Sequence, residues 1–535
     1  MAQYLFIFLL IPLVGFLFSL VIPRRQEKLI SSLALATTGI HALFTIGFVV
    51  YWLIQGHETL ETKQFTLYKS GSFEFFIDFY FDKITATFSI VGSILAFLVV
   101  TFSKYYMHRE SGFRRYFNTI LLFFFGYCLI IFSGNFETLF TGWEIIGISS
   151  FLLISFYRDR YLPVRNALKV ISLFRLSDIC LILAMWLCHH LWHSNITFTQ
   201  FNSAVGLQQL FSEHTGIYIG IIVLIIAAAI VKSAQFPFTY WLPRAMEGPT
   251  SSSAIFYGSL SVHIGVFLLL RTLPLWENIL AVQIGIGAIG LITAIVASSI
   301  GKVQPTVKTQ IAYASAAQIG IIFIEIACGL EWLALFHFGA NAFLRTYQLL
   351  VSPSVLNYAI HNQFFSHDPG KSEKTVTGKL NTTFYILAVK EWNLDNFFNR
   401  VIWIPFKWIG SRFRSTSVLP ALSICALFVG VAITVLNLPK IFPPFESGFV
   451  ANGFAITSFL FVAVAFSSRG EIMKAWTLVF CGQIILLLAF VLNGYSNSTD
   501  ILLYGSGILL AGITGFVSLW KVKQIDPNIT LTSWH

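Results

Sequence analysis

Long apolar segments separated by short polar loops follow one another along almost the whole chain. A helix that crosses a membrane needs about 20 consecutive, mainly apolar residues, and about fifteen segments of this sequence reach that length. The chain is therefore predicted to be an all-α, polytopic membrane protein. The predicted spans cover residues 4–23, 29–54, 84–107, 116–133, 136–156, 166–190, 217–236, 250–272, 278–300, 307–329, 332–351, 418–438, 450–468, 473–493 and 500–520.

Lysine and arginine are concentrated in alternate loops between the predicted spans. They collect in the loops after the first, third, fifth, ninth and last predicted spans, whereas the loops between are poor in both residues. Since basic loops stay in the cytoplasm, this alternation predicts an N-terminus outside and a C-terminus in the cytoplasm. The first apolar segment is long enough to span and follows no charged segment, so no cleavable signal peptide is predicted.

Two loops have patterns of their own. Residues 62–82 alternate between apolar and polar side chains around a Ser-Gly pair, which predicts a short external β-hairpin. Residues 352–416 form the longest stretch between spans, and the part from Trp392 to Arg414 mixes aromatic and basic residues, as an amphipathic helix at a membrane interface does. A solvated linker is the alternative. The predicted organisation is a transmembrane core over 1–351, a cytoplasmic or interfacial segment over 352–416 and further transmembrane helices over 417–535.

Composition agrees with a membrane protein and argues against several functions. Apolar residues make up 56% of the chain and charged residues 11%, too few charges to cover a soluble protein of 535 residues. The net charge of +10 fits cytoplasmic loops, and no stripe of basic and aromatic residues indicates nucleic-acid binding. The six cysteines form no CxxC pair, and the cluster of His189, His190 and His193 at a span end fits packing better than a metal site. No metal or cofactor is predicted.

Charged and titratable residues inside the spans are the candidate functional residues, because a charge near the bilayer centre costs at least roughly 2.5 kcal/mol. Lys232 ends a wholly apolar run, and Pro237 removes a backbone donor just beyond it, so the helix should break near Lys232–Pro237. Arg175 and Asp178 are three residues apart and can pair on one helix face. The candidates are Glu144, Lys169, Arg175, Asp178, Lys232, Tyr257, His263, Lys308, Glu325, His337 and Arg345.

These candidates have two interpretations. Some can be static ion pairs that hold helices together, which suits Arg175 and Asp178. Alternatively, several titratable groups at similar depth need water around them and can relay protons, which suits Glu144 and Lys232 better. A buried lysine pairs readily with a carboxylate, so we expect Lys232 to pair with a glutamate.

A further polar stripe is predicted on the eleventh span. His337, Asn341 and Arg345 are spaced by four residues and therefore share one helix face. Glu325 and Glu331 lie nearby in the sequence, so either acid is a possible partner of Arg345.

Four segments resemble a known family, the proton-translocating, antiporter-like subunits of respiratory complex I and of the Mrp antiporters, and in particular subunit L of NADH-quinone oxidoreductase. The resemblance extends in order from about residue 75 to about residue 350. It implies that Glu144 is the inlet glutamate, Asp178 its modulator and Lys232 the broken-helix lysine. Lys308 is implied as a weaker candidate. The segments are GWEIIGISSFLLISF (142–156), RNALKVISLFRLSD (165–178), KSAQFPFTYWLPRAMEGPTSSSA (232–254) and VKTQIAYASAAQIG (307–320).

The chain also departs from that family pattern. Tyr257 stands where the complex I subunits carry a histidine, with His263 six residues further on, and Arg345 replaces their central lysine. An arginine keeps its charge at physiological pH, so it cannot release a proton. The next pair of helices, with its exit lysine, and the long lateral helix are missing. VKEWNLDNFFNRV (389–401) instead resembles a later region of subunit L.

With these departures the sequence resembles the DabB (MpsA) family of inorganic carbon transporters. In that family an L-like membrane subunit pairs with DabA, a cytoplasmic zinc protein similar to β-carbonic anhydrases. The resemblance implies a proton-conducting, non-enzymatic subunit of a bacterial inner membrane, surrounded by lipid. It would couple cation influx to CO2 hydration and bicarbonate accumulation by a DabA-like partner, which we expect to dock on residues 352–416. The alternatives are a proton-pumping subunit of a complex I-type NADH dehydrogenase, an Mrp-type Na+/H+ antiporter subunit and a membrane anchor without transport.

Overall fold

The computed structural model divides the chain into two units, Met1–Leu394 and Asp395–His535. The boundary between them falls inside the predicted 352–416 segment, whose residues 366–375 and 413–416 lie outside the described part, so the three-part organisation stays a prediction. The described residues are 2–70, 73–202, 204–365, 376–412, 418–437, 447–468, 471–493 and 498–525.

The first unit consists of helices joined by short loops, with one two-stranded sheet. Short 3₁₀ turns occupy Ala2–Tyr4, Phe198–Asn202, Ala245–Glu247, Ser261–His263 and Glu391–Asn393, and a π-helix occupies Ala254–Leu260. The α-helices are α1 (Ile7–Val21), α2 (Glu27–Ile54), α3 (Lys83–Tyr106), α4 (Phe113–Ile131), α5 (Phe136–Ile154), α6 (Tyr161–Trp192), α7 (Ala204–Glu213), α8 (Thr215–Lys232), α9 (Trp241–Arg244), α10 (Thr250–Ser253), α11 (Ile264–Arg271), α12 (Leu273–Trp276), α13 (Leu280–Gly301), α14 (Val307–Ala327), α15 (Glu331–Phe365) and α16 (Val376–Val389).

The second unit is also helical. The segment predicted to lie at a membrane interface is helical as far as Arg412; its location at an interface stays a prediction. Phe454, Leu478 and Ile485 belong to the buried core of this unit. Its elements are α17 (Leu394–Phe398, which begins at the unit boundary), a π-turn at Asn399–Trp403, α18 (Ile404–Arg412), α19 (Val418–Asn437), α20 (Ser447–Ser467), α21 (Ile472–Leu492) and α22 (Ser498–Ile525).

Thirteen helices among the described residues are long and apolar enough to cross a membrane, and they coincide with thirteen of the predicted spans. The other two predicted spans, 332–351 and 418–438, lie in α15 and α19. α15 carries the predicted polar stripe, and only Leu422–Val435 of α19 stands out as a shorter apolar helix. The prediction of an all-α, polytopic membrane protein is confirmed, with thirteen candidate spans rather than about fifteen.

The predicted β-hairpin is present, with strands β1 (Leu60–Ser70) and β2 (Phe73–Phe81) paired antiparallel. It packs on the start of α5, where the Gly134 N–H donates to the Asp78 carbonyl oxygen at 2.8 Å. Asn135 caps that helix, since its side-chain oxygen accepts from the Thr138 N–H at 2.8 Å. The hairpin therefore fixes the end of the helix that carries Glu144.

A buried ion pair between Arg271 and Asp82 joins the end of α11 to the start of α3. The Arg271 guanidinium at the end of α11 donates to both carboxylate oxygens of Asp82, at 2.9 and 3.2 Å, and to the Thr85 hydroxyl at 2.7 Å. Asp82 also caps α3 by accepting from the Thr85 N–H. Because both charges are paired and further hydrogen-bonded, their burial is tolerated.

The helix breaks where the sequence predicts. α8 ends at Lys232, and the chain runs without regular structure until α9 begins at Trp241. The next span, Thr250–Arg271, is irregular as well: α10, the π-helix, a 3₁₀ turn and α11 follow one another in it. This span is fully buried inside the unit. Its burial explains how such irregular backbone is tolerated, because lipid could not satisfy the backbone groups it exposes.

Asp78 in the hairpin predicts a pH-dependent stability. Its side chain is 1% exposed, and neither carboxylate oxygen has a hydrogen-bond partner among the described residues. Burial, and then the nearby Glu61 charge, raise the pKa of Asp78 from 3.8 to about 7, with Lys63 opposing. The stability that this group contributes is therefore complete below its unfolded pKa and is lost as the pH rises through about 7.

We expect Asp78→Asn, which cannot ionise, to remove this loss. The melting temperature of the detergent-purified variant should match that of the wild type below about pH 4 and exceed it at pH 8, where the unfolding free energies should differ by an amount on the order of 1 kcal/mol after allowance for nearby water. Equal pH profiles for the two proteins would show that Asp78 does not titrate in this range. Glu58→Gln, at an exposed position just before the hairpin, is the matched control.

Candidate site of ion translocation

An acidic and basic cluster joins α5 to α6. The Arg175 guanidinium binds Glu144 through two contacts, Nη1–Oε1 at 3.0 Å and Nη2–Oε2 at 2.7 Å, and its Nε lies 3.3 Å from Asp178 Oδ2. The predicted Arg175–Asp178 pair is thus present, and Glu144 completes it from the neighbouring helix. A bidentate arginine holds a carboxylate in one orientation. Lys169, six residues before Arg175 on α6, is half-buried.

Lys232 is fully buried, and its ammonium lies among aromatic rings. The Nζ atom is 4.3 Å from the centre of the Phe174 ring and 4.8 Å from that of Trp143, and it donates to the Trp143 carbonyl oxygen at 3.5 Å. The Trp143 indole N–H in turn donates to Asp178 at 3.0 Å. Trp143 therefore connects the lysine to the acidic cluster.

The expected pairing of Lys232 with a glutamate is wrong. Glu144 binds Arg175 on the outer side of the cluster, while the ring and carbonyl of Trp143 lie against the ammonium. Trp143 and Glu144 are consecutive on α5 and so point about 100° apart around the helix. This places the tryptophan toward Lys232 and turns the carboxylate toward α6.

A second cluster lies beyond the break, where the predicted polar stripe of α15 meets the irregular span. His263 Nε2 is 3.1 Å from Asn341 Nδ2, and Arg345 Nε donates to Asn341 Oδ1 at 3.1 Å. The Arg345 guanidinium also donates to Gln348 Oε1 at 2.7 Å and to the Ala314 carbonyl oxygen at 3.4 Å. His263, Asn341 and Arg345 are all buried. The cluster joins this span to α14 and α15.

The predicted partner of Arg345 is also wrong. Glu325 binds His337 Nδ1 at 2.8 Å, and Glu331 binds Lys83 at 2.5 Å. Glu331 is the first residue of α15, and Arg345 lies fourteen residues further along that helix. At a rise of about 1.5 Å per residue the two are roughly 20 Å apart in depth. Glu325 and Glu331 are close to Arg345 in the sequence but do not contact it in the structure, so the pairing predicted from the sequence does not form.

The broken segment is held between the two clusters. The Ser233 hydroxyl donates to the Val262 carbonyl oxygen at 2.6 Å, and the Phe236 N–H donates to the Thr293 hydroxyl at 2.9 Å. Gly265 leaves the space for this approach, since a Cβ there would overlap the Ser233 hydroxyl. The break is thus tied to the irregular span and to α13.

Between the clusters lie buried polar groups that the sequence analysis did not select. These groups have no hydrogen-bond partner among the described residues, and their side chains are at most 3% exposed. A buried group of this kind costs free energy unless water satisfies it, so the region suits internal water. The run of serine and threonine between residues 233 and 261 was the available signal. The groups are Ser150 Oγ, Gln235 Oε1, Thr239 Oγ1, Tyr257 OH, Ser261 Oγ and Ser315 Oγ.

Lys308 is not part of either cluster. It lies at the start of α14, half-buried, and its ammonium donates to the Gly248 carbonyl oxygen at 3.4 Å. Near the same end of the unit, Arg244 and Glu391 form an ion pair at 2.9 Å. The structure therefore brings together Glu144, Arg175, Asp178 and Lys232 in one group, and His263 with Arg345 in another.

Comparison with known proteins identifies the family. Residues 133–366 match the family described as NADH:quinone oxidoreductase/Mrp antiporter, TM. Residues 67–117 match the N-terminus of chain 5 of NADH-ubiquinone oxidoreductase (complex I). The chain belongs to this antiporter-like family.

Individual members of the antiporter-like family are longer than the matched part of this chain. NADH-quinone oxidoreductase subunit L of Neisseria meningitidis serogroup B is 30% identical over 379 residues, which are 69% of this chain and 56% of the relative. Subunit L of Escherichia coli K12 is 28% identical over 360 residues, 66% of this chain and 58% of the relative. The chain thus spans little more than half the length of these relatives.

Two solved structures have the same fold. The membrane-bound sulfane sulfur reductase, an archaeal respiratory membrane complex, contains a chain with a TM-score of 0.56 and 16% identity; the match covers 100% of this chain and 98% of that one. The Mrp complex from Dietzia sp. DQ12-45-1b gives a TM-score of 0.55 at 18% identity, over 95% of this chain and 50% of that one. At these identities the likeness concerns the fold alone.

The three contacts of Arg345 lead to a prediction about its substitution. Nε, Nη1 and Nη2 donate to different groups, a set that one lysine ammonium cannot reach in the same directions. We expect Arg345→Ala to destabilise the protein by about 2 kcal/mol, and Arg345→Lys to recover only part of that loss. Thermal unfolding in detergent measures both.

Lys302→Ala is the control for Arg345, because that lysine is exposed on the rim of the neighbouring cavity of about 290 Å³. A full recovery of stability with Arg345→Lys would mean that only the charge matters at this position.

Proposed function

We propose that this chain is the ion-conducting subunit of a multisubunit membrane complex and that protons are the conducted ion. One observation carries the proposal: the fully buried Lys232 ends a broken helix between the Glu144–Arg175–Asp178 cluster and the buried polar groups that lead toward His263. A buried ionisable group inside a membrane protein is expensive and is most readily explained by transport.

Each residue of the proposed path has a role that follows from its chemistry. Arg175 keeps its charge and holds Glu144 in one orientation through two contacts, at the start of the proposed path. Lys232 holds its ammonium away from bulk water among aromatic rings, between the Glu144 cluster and the groups beyond the break, and is the proposed relay. Water next to the partnerless hydroxyl and amide groups would carry the proton onward to the His263 cluster.

Arg345 marks the far limit of the proposed path. Its guanidinium is buried, bound to Asn341 and Gln348, and holds its proton at any physiological pH. A fixed positive charge repels a passing proton. The path therefore depends on another protein beyond this point, which supports a subunit rather than an independent exchanger.

The outer face of α6 also supports a partner within the membrane. Arg175 lies near the middle of this helix, and its side chain is 47% exposed on the surface of the unit. A charge at that depth does not face hydrocarbon in a stable protein. Another membrane helix is expected to cover it, and the named relatives belong to assemblies of several subunits.

Two kinds of complex are proposed for this subunit. The relatives named above favour a complex I-type dehydrogenase or an Mrp-type antiporter. Arg345 in place of a titratable lysine, and the residues that resemble the shorter DabB family, favour an inorganic carbon transporter with a DabA-like zinc partner. In the second case, ions conducted past Lys232 would act on CO2 hydration in the partner, with no exchange for a second ion.

The first test replaces the two central residues. Glu144→Gln and Lys232→Ala should each lower proton uptake at least about tenfold, because one loses the titrating carboxylate and the other the relay ammonium. Uptake is measured with a pH-sensitive dye in vesicles of the native membrane, where the proposed partners are present. Glu213→Gln, a change at the exposed last residue of α7, is the matched control. Normal uptake at wild-type protein levels in both central variants would refute the proposed path.

A second test separates the complexes. The chain is purified from its native membrane in mild detergent, and the proteins that accompany it are identified by mass spectrometry. A zinc protein, with bicarbonate accumulation that stops when an uncoupler is added, would support the carbon transporter. Quinone oxidoreductase subunits would support the dehydrogenase, and robust Na+/H+ exchange by the chain alone in proteoliposomes would support the antiporter.

A further inference from the structure

A left-handed turn follows α16 at the end of the first unit. Glu391, Trp392 and Asn393 have φ angles of 50°, 53° and 54°, and none of them is a glycine. Such φ angles are unfavourable for residues with a Cβ, although asparagine tolerates them better than most. Three in succession persist only where surrounding contacts hold them. The turn therefore fixes the position of the Glu391 carboxylate.

Glu391 uses that position to bind Arg244. The Arg244 Nη2 atom lies 2.9 Å from Glu391 Oε2, and the two side chains are only 22% and 19% exposed. Tyr313 of α14 is buried next to both charges. Arg244 also donates to the Tyr240 carbonyl oxygen, in the segment that precedes α9. The ion pair is thus partly shielded from water and joins the turn to the short helix after the break.

From Arg244 an unbroken series of contacts leads to Lys232. Trp241 lies three residues before Arg244, on the same side of α9. Its indole N–H donates to the Val231 carbonyl oxygen at 2.9 Å, and its ring packs edge-on against Phe174 with centroids 5.0 Å apart. Phe174 is the ring whose centre lies 4.3 Å from the Lys232 ammonium. The position of α9 therefore affects both the C-terminal end of α8 and the contact of the Lys232 ammonium with the Phe174 ring.

We propose that the Arg244–Glu391 ion pair is a positioning contact, through which the chain around residues 391–394 controls the surroundings of Lys232. The inference rests on the proposed function. With the pair formed, α9 holds Trp241 against Val231 and Phe174, and the ammonium keeps its aromatic neighbours. When Glu391 moves away, α9 is released, and the lysine loses the contact that fixes its ammonium.

This arrangement gives the pair a regulatory use. The turn continues directly into α17 and the helical residues up to Arg412, within the segment expected to receive a cytoplasmic partner. A partner that shifts Glu391 by a few ångströms would alter conduction without touching the membrane-buried residues. Coupling over such a distance needs contiguous contacts and an element with two arrangements. The proposal assigns the second role to the irregular backbone between Lys232 and Trp241.

A charge-swap cycle tests the proposal on the full chain in its native membrane, where the proposed partners are present. Arg244→Glu and Glu391→Arg are made singly and together, and proton uptake into vesicles is followed with a pH-sensitive dye as a function of pH. The control cycle uses Lys83 and Glu331, another pair between elements, at 2.5 Å, with side chains 39% and 28% exposed. Protein amount and melting temperature are recorded for every variant.

We expect each single swap at the Arg244–Glu391 pair to lower uptake at least about fivefold and to shift its pH profile, with wild-type amounts and melting temperature, and the double swap to restore both. The control cycle should leave uptake within about twofold of the wild type, the scatter expected for a half-exposed pair. Rescue of the pH profile would distinguish positioning of Lys232 from a purely structural role.

Three outcomes would overturn the inference. These are normal uptake in the single swaps, a loss that follows the melting temperature or protein amount, and a loss that the double swap does not rescue. If Glu144→Gln and Lys232→Ala abolish uptake while the swaps do not, only the positioning role fails. If all of these variants conduct normally, the proposed function fails first.

Discussion

The buried ammonium of Lys232 is the constraint on which the rest of the first unit depends. A cation without access to bulk water needs compensation, and here it comes from two aromatic faces, one backbone carbonyl and an acidic cluster reached through Trp143. Each of these groups belongs to a helix other than α8. The packing of α5 and α6 around the end of α8 is therefore set by one charge as much as by the apolar surface that the helices bury.

The irregular backbone near this charge has a common cause. The break after Lys232 and the π-helical span beyond it both expose backbone groups that a regular helix would satisfy. Each is tolerated because it lies inside the unit, where Thr293, Val262 and neighbouring side chains supply partners. The same irregular backbone leaves space for the buried polar side chains that have no hydrogen-bond partner among the described residues.

The sequence correctly predicted the features that depend on a single helix. Apolar length predicted the thirteen spans, Pro237 the break, and the spacing of Arg175 and Asp178 their ion pair. It failed where two helices must be placed at the same depth. Glu144 with Arg175, Glu325 with His337 and Glu391 with Arg244 are contacts between elements. Their register depends on packing, which periodicity within a single helix does not determine.

The half-exposed Arg175 has a consequence for the membrane around the chain. In a bilayer, an uncovered guanidinium at mid-depth draws water and lipid headgroups inward and thins the membrane around it. If a partner helix covers the residue, as proposed above, that local defect disappears. The free energy released by repairing the membrane would then add to the affinity between the two proteins.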